Sequence, residues 1–196
     1  MTDQFSAARI ADRLMIQDVI YKFCRAVDRL DRQGMLDVFH DDARDNHGPY
    51  NGPVVGLVDW ILKRHIPIPI SSHFVGNIII EFVSENTALV ETYVRTIQQY
   101  PTDAKLQLAQ FTGGPAGPDD KTVDIMTSSR YLDRFERRNS LWRIANRTVI
   151  QDWKGLFPVE QNALSPQEGW IVGLRNGEDA VQLARAELGL SGKLQD

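Results

Sequence analysis

Apolar residues return every three or four positions from Ile10 to Leu30, through Leu14, Val19, Ile20, Phe23 and Val27. Arg13, Gln17, Lys22, Arg25 and Arg29 fill most of the other turns. This period predicts an amphipathic helix. Ser6 stands where an N-cap belongs, and the stretch ends near Asp31 to Gly34, where glycine breaks it. A short second helix is expected over Met35 to His40. Asp41 and Asp42 begin an irregular stretch to Gly52 with room for one short strand. Gly52-Pro53 reads as the start of a third helix, about Val54 to Arg64, because proline is tolerated in a first turn. That helix would bury Val54, Leu57, Val58, Ile61 and Leu62. Ile66-Pro-Ile-Pro-Ile70 stops it, since each proline disfavours the helical conformation of the residue before it.

After His73 the pattern becomes β. Strands are expected at Ile78 to Val83, Ala88 to Tyr100, Thr122 to Arg137 and Leu141 to Trp153, all rich in β-branched and aromatic residues. Turns fall at Ser84 to Thr87 and Arg138 to Ser140, and a glycine-rich loop at Thr112 to Lys121. Helices followed by antiparallel hairpins imply an α+β fold with helices on one face of a curved sheet. A tail from Gly155 holds one more helical pattern, Glu178 to Leu190, with Ala180, Val181, Leu183, Ala184 and Leu188 available for burial. The chain thus divides into a domain over 1–154 and an extension over 155–196, packed on the domain or on a neighbouring subunit.

The 196 residues are 42% hydrophobic and 24% charged, enough for one domain with a substantial core and no need of staples. A net charge of −4 and dispersed Lys and Arg argue against nucleic-acid binding. Cys24 is the only cysteine, so no internal disulfide can form. The N-terminus lacks the pattern of a signal peptide, and no apolar run has the length of a membrane span. A cytoplasmic protein without membrane contact is expected.

Two residues stand out chemically. Asp28 follows Ile20 and Cys24 in steps of four, on the edge of the apolar stripe. A carboxylate facing inward needs a partner. His73, at the entrance of a strand-like run, is a histidine such a carboxylate could orient as a general base. Arg147 lies mid-strand on the parity of Leu141, Arg143, Ala145, Val149, Gln151 and Trp153, where it could face a cavity and stabilise negative charge. Arg130 and Tyr93 are further mid-strand candidates. His40, His47 and His65 show no metal-ligand spacing, so no metal and no other cofactor is expected, and the loop glycines do not form a nucleotide-binding pattern.

Several segments carry a family resemblance: Ile16-Gln-Asp18, Ala26-Val-Asp28, Asp41-Asp-Ala43, Gly52-Pro53, His73 to Ser84, and Phe135-Glu-Arg-Arg138 with Trp142. Over roughly residues 7 to 153 the chain resembles the SnoaL-like group of nuclear transport factor 2-like proteins. Within that group it is similar to hexachlorocyclohexane dehydrochlorinase, scytalone dehydratase and bile-acid 7α-dehydratase. The resemblance implies a cone-shaped, curved mixed sheet with N-terminal helices packed on its concave side. It also implies a dyad of Asp28 and His73, with Arg147 as an active-site arginine. Phe23 stands where the dehydrochlorinase has a lysine, and Asp45 where relatives carry an aromatic residue.

These readings converge on a cofactor-independent lyase, a dehydratase or dehydrohalogenase acting on a small hydrophobic cyclic molecule. His73 would take a carbon-bound proton, with Phe23, Val27, Phe74, Tyr93, Arg130 and Trp153 around the substrate. A double-bond isomerase would use the same groups. Alternatives of another kind are a structural small subunit of an aromatic-ring-hydroxylating dioxygenase and a ligand-binding module. A homo-oligomer is expected, a trimer by resemblance, with a dimer as the alternative.

Overall fold

The computed structural model describes residues 4–159 and 166–190; parts of the expected extension, 160–165 and 191–196, lie outside the described residues. Helix α1 spans Ala7–Asp28, and the Ser6 hydroxyl accepts the Arg9 amide at its start. Its inward stripe of Ile16, Val19, Ile20, Phe23 and Val27 is buried. The chain breaks at Leu30, which takes a positive φ of 56°. Asp31 then caps α2, Arg32–Asp37, by accepting the Gly34 amide.

The segment expected to be irregular is largely strand: β1, Phe39–Asn46, and β2, Asn51–Pro53. Its charged composition hides this, since only Phe39, His40, Ala43 and Asp45 of β1 are buried. Helix α3 covers Val54–His65. The strands β3, Ile70–Phe82, and β4, Thr87–Tyr100, follow. A 3₁₀ turn leads into α4, Lys105–Thr112, a helix that the sequence pattern did not predict. Strands β5, Val123–Arg138, and β6, Leu141–Pro158, form the longest hairpin, turning at Asn139 and Ser140 with both φ positive. Helix α5, Ala180–Glu187, lies in the extension.

The six strands form one sheet in the order β2-β1-β6-β5-β4-β3. Every pairing is antiparallel except that of β1 with β6. The sheet is mixed and does not close into a barrel. One face carries the core, where Phe23, Met35, Phe39, Leu57, Phe135 and Trp142 meet, each all but inaccessible to water. Burying such side chains stabilises the fold by roughly 1.5–3 kcal/mol apiece. A second cluster, Ile68, Tyr100, Ala104, Leu108, Val123 and Ile125, closes the sheet's other end beneath α4.

Three irregularities decide which side chains face inward. β3 carries one extra residue between Val75 and Ile78. β6 carries one at Ala145, where Arg134 pairs with Asn146 but Phe135 with Ile144. It carries another at Asp152, where Ser129 pairs with Gln151 but Ser128 with Trp153. Each bulge flips the two-residue alternation of the strand that holds it. So on β6 the inward set runs Trp142, Ile144, Arg147, Val149, Gln151 and then Lys154. The parity expected from sequence held only between the bulges.

The extension reaches back to the domain chiefly through Arg175. Arg175 donates to four backbone carbonyls: Val27 at 3.1 Å, Asp28 at 2.8 Å, His65 at 2.9 Å and Ile68 at 2.7 Å. Val27, Asp28 and His65 lie at the C-terminal ends of α1 and α3, where helix carbonyls lack intrahelical partners and carry the negative end of the helix dipole, and Ile68 follows just after α3. Asp179 fixes the approach by accepting the Leu174 and Val181 amides and pairing with Arg29 at 3.4 Å. No helix among the described residues is long and apolar enough to cross a membrane.

Candidate active site

Helix α1 ends on Asp28 because the chain turns at Leu30, and β3 passes directly beside that end. The Asp28 carboxylate accepts three hydrogen bonds from β3: Ser71 Oγ at 2.9 Å, the His73 amide at 2.8 Å and His73 Nδ1 at 2.6 Å. His73 and Asp28 side chains are only 7% and 13% exposed, so this pairing is shielded from competing water. With Nδ1 donating to the carboxylate, Nε2 carries the lone pair. It has no partner among the described residues, and His73 lines a cavity of about 320 Å³. Asp28 sits behind the histidine and does not line it.

The cavity walls come from the inward positions of three strands: Val94, Thr96 and Gln98 of β4, Thr127, Ser129 and Tyr131 of β5, Val149, Gln151 and Lys154 of β6. Arg64 closes one side. The rim is the β1–β2 turn at His47 to Pro49 and the end of α4 at Gln110 to Gly113. Gly113 sits at φ 83° and terminates α4, which is what turns this segment over the opening. Among the described residues no carboxylate lines the cavity.

The other expected site residues lie elsewhere. Phe74, next to His73, points to the opposite face by simple alternation and is exposed. Tyr93 and Arg130 are on that outer face too; Arg130 pairs with Glu91 at 2.7 Å and Asp152 at 2.9 Å. Trp153 joins them because of the bulge at Asp152. Phe23 and Val27 belong to the core beneath. None of these six lines the cavity.

Arg147 is fully buried behind the wall. Its Nε and Nη2 each donate to the Asp133 carboxylate at 2.7 Å. Its guanidinium lies over the rings of Tyr131 at 4.0 Å and Phe23 at 4.3 Å. Burial opposes the charge, yet the Asp133 carboxylate holds the guanidinium protonated, above its ordinary value. Asp45, opposite Arg147 across the β1–β6 ladder, bonds His47 Nδ1 at 3.1 Å through one oxygen and leaves the other unpaired. Tyr131 does face the cavity, and burial pushes its phenol well above the usual range, so it stays a hydrogen-bond donor.

Of the lining residues that sequence reasoning missed, Arg64 was open to detection. Arg64 and His65 continue the stripe of Leu57, Val58 and Ile61 at helical spacing, so both face inward. Lys154 becomes inward only through the bulge and carries no local signal.

The profile of the SnoaL-like domain matches residues 8–148. The chain belongs to the SnoaL-like family. None of the curated proteins matches it in sequence. Among solved structures it is similar to LinA, at 20% identity and a TM-score of 0.62 over 82% of this chain and 97% of that one. It is also similar to a protein of Novosphingobium aromaticivorans provisionally named a scytalone dehydratase, at 15% identity and a TM-score of 0.59 over 84% and 98%. A third, provisionally named an aromatic ring hydroxylase, from the same species, shows 22% identity and a TM-score of 0.58 over 76% and 94%. Such likenesses establish the SnoaL-like fold.

Two predictions follow from the charges around this SnoaL-like site. Arg147→Met strands the buried Asp133 carboxylate and should lower stability by about 3–5 kcal/mol, whereas Arg147→Met with Asp133→Leu should recover most of it. Denaturant midpoints of the two variants measure this, and equal losses would refute it. The second concerns His65, which burial first and the Arg64 charge second hold well below 6.5. The folded chain then binds fewer protons than the unfolded one. Its contribution is complete above pH 6.5 and is lost on acidification, by up to about 1.4 kcal/mol per pH unit. Ring NMR should find His65 neutral at pH 6.5, where an unperturbed histidine is half charged.

Proposed function

We propose that this protein is a cofactor-independent lyase that removes a carbon-bound proton and a neighbouring leaving group from a small cyclic substrate. The observation that carries this is His73: Nδ1 tied to Asp28 at 2.6 Å and the ring lining the cavity. His73 Nε2 takes the proton. The C–H electron pair becomes the new double bond, and the leaving group departs with its own bonding pair. Asp28 holds the tautomer and balances the imidazolium, as a carboxylate does in a catalytic triad. Where the leaving group is hydroxide, the proton on Nε2 can complete it as water. The fold relatives named for dehydrochlorination and dehydration support the reaction class, and the hydrogen-bonding lining supports a substrate with polar substituents.

Tyr131 is the donor assigned to the departing or polarised oxygen. Arg147 is a positioning residue: it touches Tyr131, Phe23 and Asp133 rather than the cavity. A cavity lined by the dyad histidine gives less support to a purely structural subunit, whose cavity could be filled or inert.

Screening cyclic hydroxy and halo compounds in D₂O, followed by mass spectrometry, tests the reading. His73→Ala and Asp28→Asn should each lower turnover by at least about a hundredfold. Unchanged turnover in both would sink it.

We also assign the outer face of the sheet to contact between copies of this chain. Phe74, Leu89, Tyr93, Ile97, Trp153 and Phe157 are exposed together there, and apolar side chains grouped on one face mark an interaction surface. Sedimentation should give an oligomer that Tyr93→Glu with Ile97→Glu dissociates. A wild-type monomer would contradict the assignment.

A further inference from the structure

Arg64 is a charged side chain at the cavity with nothing of opposite charge to meet it among the described residues. It is only 4% exposed. Nη1 donates to the Tyr100 hydroxyl at 3.3 Å and Nη2 to His65 Nε2 at 2.8 Å. Both partners are neutral, since burial raises the Tyr100 phenol and lowers the His65 imidazole. Nε is buried without any partner. Of the five N–H groups of a guanidinium, two are engaged. The Trp60 and Phe111 rings lie against the guanidinium at 4.7 Å and 4.8 Å and hold its plane.

Burying an ion without a counter-ion costs several kcal/mol. The fold meets that cost at Arg147 with Asp133. Among the described residues Arg64 has no such partner, and the cavity it lines has no carboxylate and carries a second cation, Lys154, towards its opening. The positive charge is therefore left for a ligand.

We propose that Arg64 is the anchor for a carboxylate of the substrate, so that the protein acts on a small ring-bearing organic acid. A planar carboxylate matches the fixed guanidinium fork, and Lys154 draws the anion to the mouth. Held at Arg64, the rest of the molecule occupies the cavity that His73 lines. The identification of the acid as a substrate rests on the lyase reading; the carboxylate site itself does not.

Calorimetric titration of the full chain with benzoate, benzamide and phenyl phosphate tests the proposal. Benzoate should bind about tenfold or more tighter than the isosteric benzamide. Arg64→Met should remove that preference, Arg64→Lys should retain part of it, and His73→Ala should leave it intact. Equal binding of benzoate and benzamide, tighter binding of phenyl phosphate than of benzoate, or a preference that survives in Arg64→Met, would overturn it. In case Arg64→Met does not fold, the arginine Nε–H signal of Arg64 in the ¹⁵N-labelled wild type gives an independent readout. It should shift as benzoate is added, and a static signal at saturating benzoate would equally overturn the site. An intact benzoate preference with unimpaired turnover in the dyad variants would remove the lyase reading alone.

Discussion

The carboxylate of Asp28 is the point on which fold and site both depend. It terminates α1 and takes three donors from β3, so the longest N-terminal helix is tied to the sheet's edge strand by one side chain. The geometry also fixes the chemistry. Because one oxygen holds the His73 amide and the other its Nδ1, the backbone and the ring of His73 are set together. The imidazole cannot turn Nδ1 towards the cavity without losing a charge-assisted bond. The same end of α1 is where Arg175 collects the Val27 and Asp28 carbonyls. The extension thus braces the helix end that presents the carboxylate, although none of its described residues lines the cavity.

Three arginines in this small structure show three ways of hosting a buried or half-buried cation. Arg147 has a bidentate carboxylate and is charged in a dry interior. Arg175 has three helix-end carbonyls and that of Ile68, whose partial charges do not fully replace water, and burial brings it down to about 10. Arg64 has a phenol, an imidazole and two aromatic faces, and burial lowers it as well. Dipoles and ring quadrupoles orient a guanidinium but do not neutralise it. The contrast separates cations that hold the fold together from one that the fold leaves unsatisfied beside a cavity.

Much of this was legible in the sequence, for reasons that can be traced residue by residue. The period of α1 and its Ser6 cap were plain, and so were the pairing of Asp28 with His73 and the hairpins of the second half. Three features were not. The bulges at Ala145 and Asp152 leave no mark in a strand whose two faces both carry large residues, so Trp153 was placed inside and Lys154 went unseen. On β4, Leu89, Tyr93 and Ile97 alternate with Val90, Val94 and the polar inward residues; with apolar groups on both faces, parity does not reveal which one is the core. Arg175 acts on backbone carbonyls brought together only by the tertiary fold, a contact for which no side-chain pattern exists.

The misplacement of the apolar candidates has a consequence for chemistry. A pocket lined by Phe74, Tyr93 and Trp153 would have favoured a purely hydrocarbon or halocarbon substrate, bound by area alone. The actual walls, with Thr96, Gln98, Thr127, Ser129 and Gln151 beside Arg64 and Tyr131, carry many more hydrogen-bonding groups than such a ligand could satisfy. Thr96 and Thr127 satisfy each other at 2.5 Å, and Gln98 is held by Tyr100 and His65. The remaining polar groups would lose water without compensation if a featureless ring displaced it. On the proposed function, a ring bearing several oxygens would return those hydrogen bonds where a ring bearing none would not.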